Sequence, residues 1–470
     1  MVANPSHQPL LDPIAGDFWI TTSGDDLTLR PALARDETVD IAILGGGFSG
    51  LWAAYYLLTA QPDLKVAIVE RNFCGYGASG RNGGWCSPRF PLDAGALIKR
   101  FGVETARRTI GAQLEIVAEI GRICAHEGID AHYRNTGLLS LARSEHQFHS
   151  LVGTLKTYQD LGLGDGNRLL SAGEAFDRVH ATHVHGALEA RAGANVHPGR
   201  LVRGLARTVE RLGATIYEST EALKIDGGQN PTIVTDGGVI TARKAVILAG
   251  EGYLTELPKY RRQLLPMSSM IALTAPLTPE QWKIVGWDRG ESLSSQVHTK
   301  NYLTRTQDGR ILFGSRGAPY LFGSRMSEGA LREDAIYEWM RGCVLEWWPD
   351  LEGIAFTNAW GGYLGVPRDW LPTVHFDEAS RIGHLYGYTG RGVSTSAMCA
   401  KLLAGLIGKQ TSGLEGLPFH RTRAQSWEPE PFRWAGVRYI QSAFARIDEA
   451  ESADKPRPID AGFAEYLGEP

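Results

Sequence analysis

The sequence predicts a protein of the α/β class, α+β overall, in which a parallel βαβ unit is interleaved with a second domain rich in antiparallel strands. A strand, a tight turn, a helix and a second strand occupy residues 39–70. Residues 215–249 are then predicted to form short strands separated by Asp-Gly-Gly turns. Helical and strand patterns alternate again over residues 265–407, so we expect the parallel unit to be assembled from separated stretches of the chain.

Length and composition restrict the class of protein. The 470 residues are 43% hydrophobic and 21% charged, which predicts two or three folded domains and excludes disordered and fibrous proteins. A net charge of -4 argues against nucleic acid as the main partner. The chain has no run of 18 apolar residues, no signal-peptide pattern and five cysteines without a disulfide or metal-site spacing. These features predict a cytoplasmic protein without a transmembrane segment.

Hydrophobic periodicity and turn residues predict the helices and strands along the chain. Pro198 and Gly213 bracket one helix, Ser327 and Pro349 another, and Gly408 ends a third. Helices are predicted at 48–60, 93–130 (broken around Gly111), 144–161, 198–212, 328–348, 394–407 and 433–450, the last being amphipathic. Strands are predicted at 39–44, 65–70, 137–142, 215–217, 222–225, 232–235, 239–242, 245–249, 270–274, 302–305, 310–314 and 382–387.

A glycine motif lies between the first strand and the first helix. Gly45, Gly47 and Gly50 give G-x-G-x-x-G, and Glu70 ends the next strand 20 residues later. The first glycine makes the turn, the second admits a pyrophosphate and the third allows close helix packing, while the helix N-terminus attracts phosphate. The acid can accept hydrogen bonds from a ribose diol. The motif predicts dinucleotide binding but leaves NAD and FAD open.

The segment after Glu70 and Arg71 distinguishes between NAD and FAD as the predicted cofactor. It contains Gly-Ala-Ser-Gly-Arg-Asn-Gly-Gly at 77–84, followed by Trp85. With this segment, residues 39–410 resemble the D-amino-acid oxidase-like superfamily of FAD-dependent oxidoreductases, and within it the γ-glutamylputrescine oxidoreductase-like proteins. Ala-Val-Ile-Leu-Ala-Gly at 245–250, Trp-Gly-Gly-Tyr at 360–363 with Asp-Trp-Leu-Pro at 369–372, and Gly-Tyr-Thr-Gly-Arg-Gly at 387–392 agree with the resemblance.

The resemblance implies a Rossmann-like FAD-binding domain of the glutathione-reductase type and an antiparallel-β substrate domain. We expect a leader at 1–38, the FAD domain at 39–95, 185–264 and 365–412, the substrate domain at 96–184 and 265–364, and a tail at 413–470. In the sarcosine oxidase branch of this superfamily a cysteine links covalently to the flavin, at a position that falls near Gly361 here. No cysteine lies near Gly361 and no histidine lies in 77–84, so the resemblance implies non-covalent FAD. The expected cofactor-binding residues are Gly45, Gly47, Phe48, Ser49, Gly50, Glu70, Arg71, Gly77, Ala78, Ser79, Arg81, Asn82, Gly83, Gly84, Ala222, Ala249, Gly250, Gly362, Gly390, Arg391, Gly392, Val393 and Ser394.

The expected catalytic residues are those that would surround the flavin ring and the substrate. They are Arg81, Trp85, Tyr302, Trp360, Tyr363 and Arg391. Tyr302 and Arg305 lie on opposite faces of one predicted strand, so we expect at most one of them to face the flavin. Further candidates, each also explained by ordinary structural roles, are Arg316 for an anionic substrate group and His298 for protons. No metal site is expected, because no acid or cysteine completes His183, His185 and His197.

The sequence and the resemblance together predict oxidation of the C–N bond of a primary or secondary amine, polyamine-derived or amino-acid-like, by hydride transfer to flavin N5. Ser394 stands where the sarcosine oxidase branch has a basic residue for the substrate carboxylate, which argues against a simple N-methyl amino acid. Oxygen or another acceptor would reoxidise the flavin, and a homo-oligomer is possible. The alternatives are a flavin-bearing subunit of a hetero-oligomeric dehydrogenase, an FAD monooxygenase or halogenase, and a plain NAD dehydrogenase.

Overall fold

The computed structural model describes residues 18–299, 301–315, 319–453 and 455–468, so the candidate Arg316 lies outside the described residues. The strands are β1 (Glu37–Leu44), β2 (Val66–Val69), β3 (Trp85–Cys86), β4 (Leu138–Ala142), β5 (Asn167–Leu170), β6 (Gly186–Ala190), β7 (Ala194–Asn195), β8 (Thr215–Tyr217), β9 (Ala222–Asp226), β10 (Thr232–Thr235), β11 (Val239–Leu248), β12 (Leu265–Thr274), β13 (Ser292–Ser295), β14 (Asn301–Arg305), β15 (Ile311–Ser315), β16 (Phe356–Val366), β17 (Thr373–Asp377) and β18 (Ile382–Tyr386). The helices are α1 (Phe18–Thr21), α2 (Phe48–Ala60), α3 (Ala78–Arg81), α4 (Ala94–Phe101), α5 (Val103–Glu127), α6 (Glu145–Asp160), α7 (Ala172–Phe176), α8 (Pro198–Arg211), α9 (Pro279–Val285), α10 (Asp334–Trp347), α11 (Gly392–Gly408), α12 (Phe432–Ser452) and α13 (Ala461–Gly468).

The first sheet is parallel at its centre, in the order β17-β18-β11-β1-β2-β8. Strands β18, β11, β1, β2 and β8 pair in parallel, β17 closes one edge antiparallel to β18, and β9 and β10 form an antiparallel extension of β11. Every residue of β2 is buried, which explains its continuous apolar sequence Val-Ala-Ile-Val. Helices α2, α5, α8 and α11 cover one face, with Trp52, Leu57 and Leu402 in the core between them.

The second sheet is mostly antiparallel, in the order β16-β12-β15-β14-β13-β4-β6-β5, with β13 and β4 as a parallel pair. Strand β12 pairs with β16 over nearly its whole length, from Leu265 opposite Val366 to Thr274 opposite Phe356. Helix α10 packs on this sheet, and Tyr337, Met340 and Val344 contribute to its core. The predicted α/β class with an interleaved antiparallel sheet is confirmed, whereas the exact division into domain ranges stays a prediction.

Several element boundaries differ from those predicted. The helical stretch 93–130 breaks at Gly102, which has a left-handed φ of +82°, and not around Gly111, which lies inside α5. The two predicted strands at 239–249 are one strand, β11. Helix α10 begins after Glu333 and not after Ser327, because a 3₁₀ turn at Gly329–Arg332 precedes it.

Both ends of the described chain pack on the body of the protein. Within the predicted leader, Phe18–Thr21 form the short helix α1, whose Phe18 and Trp19 are buried, and β1 begins at Glu37. In the tail, Val437 of α12 packs with Trp427 and Leu265 in one apolar cluster. Among the described residues, none of the helices is both long and apolar enough to cross a bilayer.

Candidate active site

A cavity of about 540 Å³ begins at the carboxyl ends of β1, β2 and β11 and extends to the antiparallel sheet. This is where open parallel sheets bind their ligands. The predicted residues that line it are Gly45, Gly47, Phe48, Ser49, Glu70, Arg71, Gly77, Ala78, Ser79, Arg81, Asn82, Gly83, Trp85, Ala222, Ala249, Gly250, Tyr302, Gly362, Tyr363, Gly390, Arg391, Gly392 and Val393. The structure thus brings together most of the predicted site, although their individual roles stay predictions.

The glycine turn is too crowded for side chains. Gly45 has a φ of +110°, and a Cβ atom there would lie 2.8 Å from the Ala249 carbonyl oxygen. Gly47 ends the turn as the N-cap of α2 and, being glycine, supplies no side-chain cap itself. The first turn of α2 therefore begins at the cavity wall with its positive dipole end available to an anion.

Glu70 directly follows β2 and is half-buried beside the cavity. Its carboxylate accepts hydrogen bonds from the backbone N–H groups of Gly46 (2.9 Å) and Asn72 (2.9 Å). Burial raises the pKa of Glu70, and these two N–H groups oppose that rise. The two hydrogen bonds fix the carboxylate at the place where a ribose diol would donate to it.

The loop at 77–84 is held by its own polar side chains. Ser79 Oγ accepts from the N–H of Phe48 (2.8 Å), which joins this loop to the start of α2. The amide of Asn82 donates to the carbonyls of Ala78 and Ser79 and accepts from the N–H of Gly84. The Asn82 side chain therefore stabilises the loop.

Arg81 lies between the loop and the antiparallel sheet. Its guanidinium donates to the Gly361 carbonyl (3.3 Å), forms an ion pair with Glu328 (3.3 Å) and stacks over the ring of Tyr76 at 4.5 Å. The backbone of β16 approaches Arg81 closely, because a Cβ atom on Gly362 would lie 3.2 Å from Arg81 Cβ. Arg81 thus presents a fixed positive charge at the cavity.

Aromatic side chains line the cavity where it meets the antiparallel sheet. The rings of Trp85 and Tyr302 meet edge to face, with centroids 6.0 Å apart. The Tyr302 hydroxyl bonds Ser269 (2.9 Å), and the Tyr363 hydroxyl accepts from the Ser327 N–H (2.8 Å) and donates to its carbonyl. Both phenols have protein partners, so they are held in place as walls of the cavity.

Four other predicted residues are not among those that line the cavity. The indole of Trp360 stacks with Phe18 and donates to the Arg81 carbonyl (3.1 Å), so Trp360 supports Arg81 and is not among the residues that line the cavity. Gly50 acts in helix packing, as its place in the motif predicts. Gly84 forms a turn with φ of +79°, and Ser394 is fully buried, where its hydroxyl donates to the Ser87 carbonyl.

Two further residues that the sequence analysis considered for the site have their contacts outside the cavity. His298 stacks on Phe444 and lies near Glu465 of the C-terminal helices, so it does not serve the cavity. Arg305 extends to the carbonyl of Trp287 and over the ring of Trp282, on the side of β14 away from Tyr302.

The sequence analysis missed Arg89, which lines the cavity beyond Trp85. Its guanidinium donates to Ser140 Oγ (2.6 Å), and burial lowers its pKa. Within the described part of the chain, no carboxylate forms an ion pair with Arg89. Arg391 lies nearby, where its guanidinium donates to Ser87 Oγ (3.2 Å). A half-buried guanidinium without an acid among the described residues, in the wall of a cavity, favours a carboxylate on the ligand.

Glu251 was also missed, although it directly follows Gly250 and lines the cavity. Its carboxylate accepts from the N–H groups of Gly365 (3.1 Å) and Gly387 (2.7 Å) and so joins the end of β11 to β16 and to the second glycine loop. The residue has a left-handed φ of +48°, a conformation that is uncommon for non-glycine residues. Burial raises the pKa of Glu251 to about 7.

The raised pKa of Glu251 makes the stability of the fold depend on pH. The folded state binds this proton more tightly than the unfolded chain does, so the stabilisation is complete at low pH and is lost as the pH rises through about 7. We expect the wild-type protein to lose about 2 kcal/mol of unfolding free energy between pH 5.5 and 7.5 from this group alone. Denaturant unfolding of wild type and Glu251→Gln at both pH values measures this loss as the difference between them. Equal pH dependence in the two proteins would contradict the assignment.

The residues present fit a bound dinucleotide cofactor. Tyr253 Oη and Ser396 Oγ are buried, have no hydrogen-bond partner within the described residues, and both belong to side chains that line the cavity. Buried polar atoms in folded proteins are nearly always hydrogen-bonded, so these two atoms indicate bonds to a ligand. Glu70 suits a ribose, the N-terminus of α2 suits a pyrophosphate, and the region from Arg81 to Gly362 suits a flat ring.

Comparison with known proteins agrees with this geometry. The family model of the FAD dependent oxidoreductases, DAO, matches residues 40–406. The chain is 30% identical over 407 residues to the probable oxidoreductase OrdL of Rhizobium meliloti strain 1021, covering 84% of this chain and 89% of the relative. It is 27% identical over 392 residues to γ-glutamylputrescine oxidoreductase of Escherichia coli strain K12, covering 80% and 85%. The fold is similar to that of glycine oxidase from Geobacillus kaustophilus, with a TM-score of 0.69 and 22% identity over 83% of this chain and 99% of the other.

Proposed function

Because the chain belongs to the DAO family of FAD-dependent oxidoreductases, we propose that it oxidises the C–N bond of a primary or secondary amine to an imine. The carbon next to nitrogen loses a hydride and the nitrogen loses a proton, so the C–N bond becomes C=N. Bound FAD supplies the hydride acceptor, flavin N5. The imine then hydrolyses to a carbonyl compound and an amine, or passes to another enzyme.

Arg89 is the observation on which the choice of substrate rests. It faces the cavity beyond the aromatic walls, and its charge is not neutralised by an acid of the described chain. We therefore propose an amine that also carries a carboxylate, either an amino acid or a γ-glutamyl derivative of a polyamine. The name of the E. coli relative, γ-glutamylputrescine oxidoreductase, supports the second class. Arg391 would assist Arg89 from the second glycine loop.

The remaining residues of the cavity would orient the substrate and support the reduced cofactor. Trp85, Tyr302 and Tyr363 form walls that exclude water from the reacting carbon. Arg81, fixed by its ion pair with Glu328, would stabilise negative charge that develops on the flavin ring. The amine must arrive as the neutral base, and this chemistry needs no obligate protein base.

An anaerobic titration tests the proposal. The FAD-loaded protein is mixed with glycine, sarcosine, γ-glutamylputrescine and, as a matched control without a carboxylate, putrescine. We expect the visible flavin band to bleach with one of the carboxylated amines and to change far less with putrescine. Admitting air then distinguishes an oxidase from a dehydrogenase.

The other outcomes contradict the proposal in different ways. Bleaching by none of the amines, with full FAD occupancy, would oppose amine oxidation. NADPH consumption with a hydroxylated product would favour the monooxygenase alternative. Turnover that appears only after a second polypeptide is added would favour the subunit of a hetero-oligomeric dehydrogenase.

A further inference from the structure

A second cavity, of about 310 Å³, lies behind the loop that lines the flavin site. Its walls come from α1, from the segment between α5 and β4, from the start of α8 and from the turn between β14 and β15. We call it the Arg134 cavity, after the guanidinium in its wall. Phe18, Trp19, His132, His197 and Thr306 are among its other lining residues.

Arg134 brings a positive charge that the described chain does not neutralise. Its guanidinium donates to the Arg305 carbonyl (2.9 Å), and no carboxylate of the described residues pairs with it. Burial, together with the positive charge of Arg305, lowers the pKa of Arg134. A bound anion would offset both the burial of the Arg134 charge and its repulsion by Arg305. A planar guanidinium can hold a carboxylate through two parallel hydrogen bonds.

The acids around the cavity already have partners. Asp308 binds Arg310 Nε (2.6 Å) and the Thr306 hydroxyl (2.6 Å). Asp130 pairs with Arg200 (2.7 Å). Since these carboxylates are engaged elsewhere, the charge of Arg134 is left for a ligand.

Besides Arg134, the charged residues of the lining are Asp308 and Arg305, whose guanidinium donates to the Trp287 carbonyl and lies over the Trp282 ring, and another part of the wall is aromatic. Trp19 meets His197 edge to face at 4.7 Å, and His197 meets His132 at 5.4 Å. Burial lowers the pKa of His197 to about 3 and also lowers that of His132, so both rings are neutral at physiological pH. Flat neutral rings beside the Arg134 guanidinium suit a ligand that has an apolar body and a single negative group.

We propose that the Arg134 cavity is a second ligand site, distinct from the amine site, which binds a small organic carboxylate with a flat apolar body. The volume of 310 Å³ lies within the usual range for small-molecule pockets. His132, with a left-handed φ of +50°, belongs to the same wall, and such conformations cluster at ligand sites. Binding at this site does not depend on the proposed amine oxidation.

An occupant of this site would act on the flavin loop through direct hydrogen bonds. Trp19 Nε1 donates to the Asn82 carbonyl (2.7 Å), and the Thr304 hydroxyl donates to the Gly83 carbonyl (2.6 Å). The same hydroxyl accepts from Trp85 Nε1 (3.0 Å). Asn82, Gly83 and Trp85 line the flavin cavity, so a ligand that shifts Trp19 or Thr304 would shift the loop beside the flavin.

The test is calorimetric titration of the FAD-loaded full chain with benzoate, which has a carboxylate on a flat ring and no amine to oxidise. Titrations are made in an Arg89→Met background, so that the carboxylate anchor of the amine site is absent. We expect one benzoate per chain, and a shift of the visible flavin spectrum on saturation. Arg134→Met should weaken this binding on the order of tenfold to a hundredfold.

Matched variants separate the site from general charge effects. Arg200→Met removes a nearby arginine that is already paired with Asp130, and it should leave benzoate affinity within about twofold. Arg134→Lys keeps the charge but loses the planar fork, so it should bind several times more weakly than Arg134 and serves if Arg134→Met does not fold.

Three results would overturn the proposal. They are the absence of benzoate binding in the Arg89→Met background, equal affinity in the Arg134 variants and their parent, and inorganic phosphate binding as tightly as benzoate. An unchanged flavin spectrum at saturating benzoate would overturn the coupling to the flavin loop.

Discussion

Gly50→Ala is expected to abolish FAD binding and to destabilise the fold by about 3 kcal/mol or more. A Cβ atom on Gly50 would lie 2.0 Å from the Gly45 carbonyl oxygen and 3.1 Å from Ile43 Cγ2. The first of these contacts is with backbone, so relief requires α2 to move away from β1 and the glycine turn. That movement would displace the helix N-terminus from the position in which it meets a pyrophosphate.

Gly111→Ala is the matched control for this prediction. Gly111 also lies inside a helix, α5, but a Cβ atom there would meet nothing within 4 Å. Alanine should therefore stabilise the protein by up to about 1 kcal/mol and leave FAD bound. Thermal unfolding and the flavin retained after gel filtration measure both effects. A Gly50→Ala protein that keeps its FAD would show that the turn is less constrained than the structure indicates.

Arg89→Met is expected to lower kcat/KM for a carboxylated amine by about 10²–10³-fold. The guanidinium lies in the cavity without an acid of its own among the described residues, so its loss removes the main partner that we propose for a substrate carboxylate. Arg89→Lys should recover part of the activity, because it restores the charge without the two parallel hydrogen bonds. Steady-state kinetics with each amine measure the change.

The substrate itself provides the sharpest control for Arg89. For an amine without a carboxylate, wild type and Arg89→Met should differ by only a few-fold, since neither can use that contact. Arg122→Met removes an exposed arginine of α5 that pairs with Glu115, and it should leave the kinetics unchanged. A loss that is equal for both kinds of amine would indicate that Arg89 maintains the cavity and does not bind the substrate.

The parts of the site that the sequence predicted are those formed by neighbouring residues. Gly45, Gly47 and Glu70 are joined by one βαβ unit, so their spacing alone places them around one end of a cofactor. The loop at 77–84 follows directly and was also predicted, although the sequence could not tell that the Asn82 amide would be used within the loop.

The structure differs from the sequence-based expectations at positions where tertiary packing decides the conformation and the local sequence pattern does not. Both Gly102 and Gly111 can interrupt a helix, but only Gly102 adopts a left-handed φ, because α4 and α5 meet there. Trp360 shares a predicted aromatic cluster with Tyr363, yet its indole packs behind Arg81 while Tyr363 lines the cavity. Aromatic residues on one strand give no sign of which ring faces a ligand and which faces the core.

The sequence by itself determined the family, the cofactor class and the nucleotide end of the site, because a glycine turn, a helix N-terminus and an acid 20 residues later form a local unit. Only the tertiary structure decided the substrate end and the Arg134 cavity. Arg89 lines the same cavity as Tyr302 and Tyr363, which lie more than 200 positions later in the chain. No periodicity of the sequence identifies such residues. Whether they come together depends on strand register and on which arginines pair with acids in the folded protein.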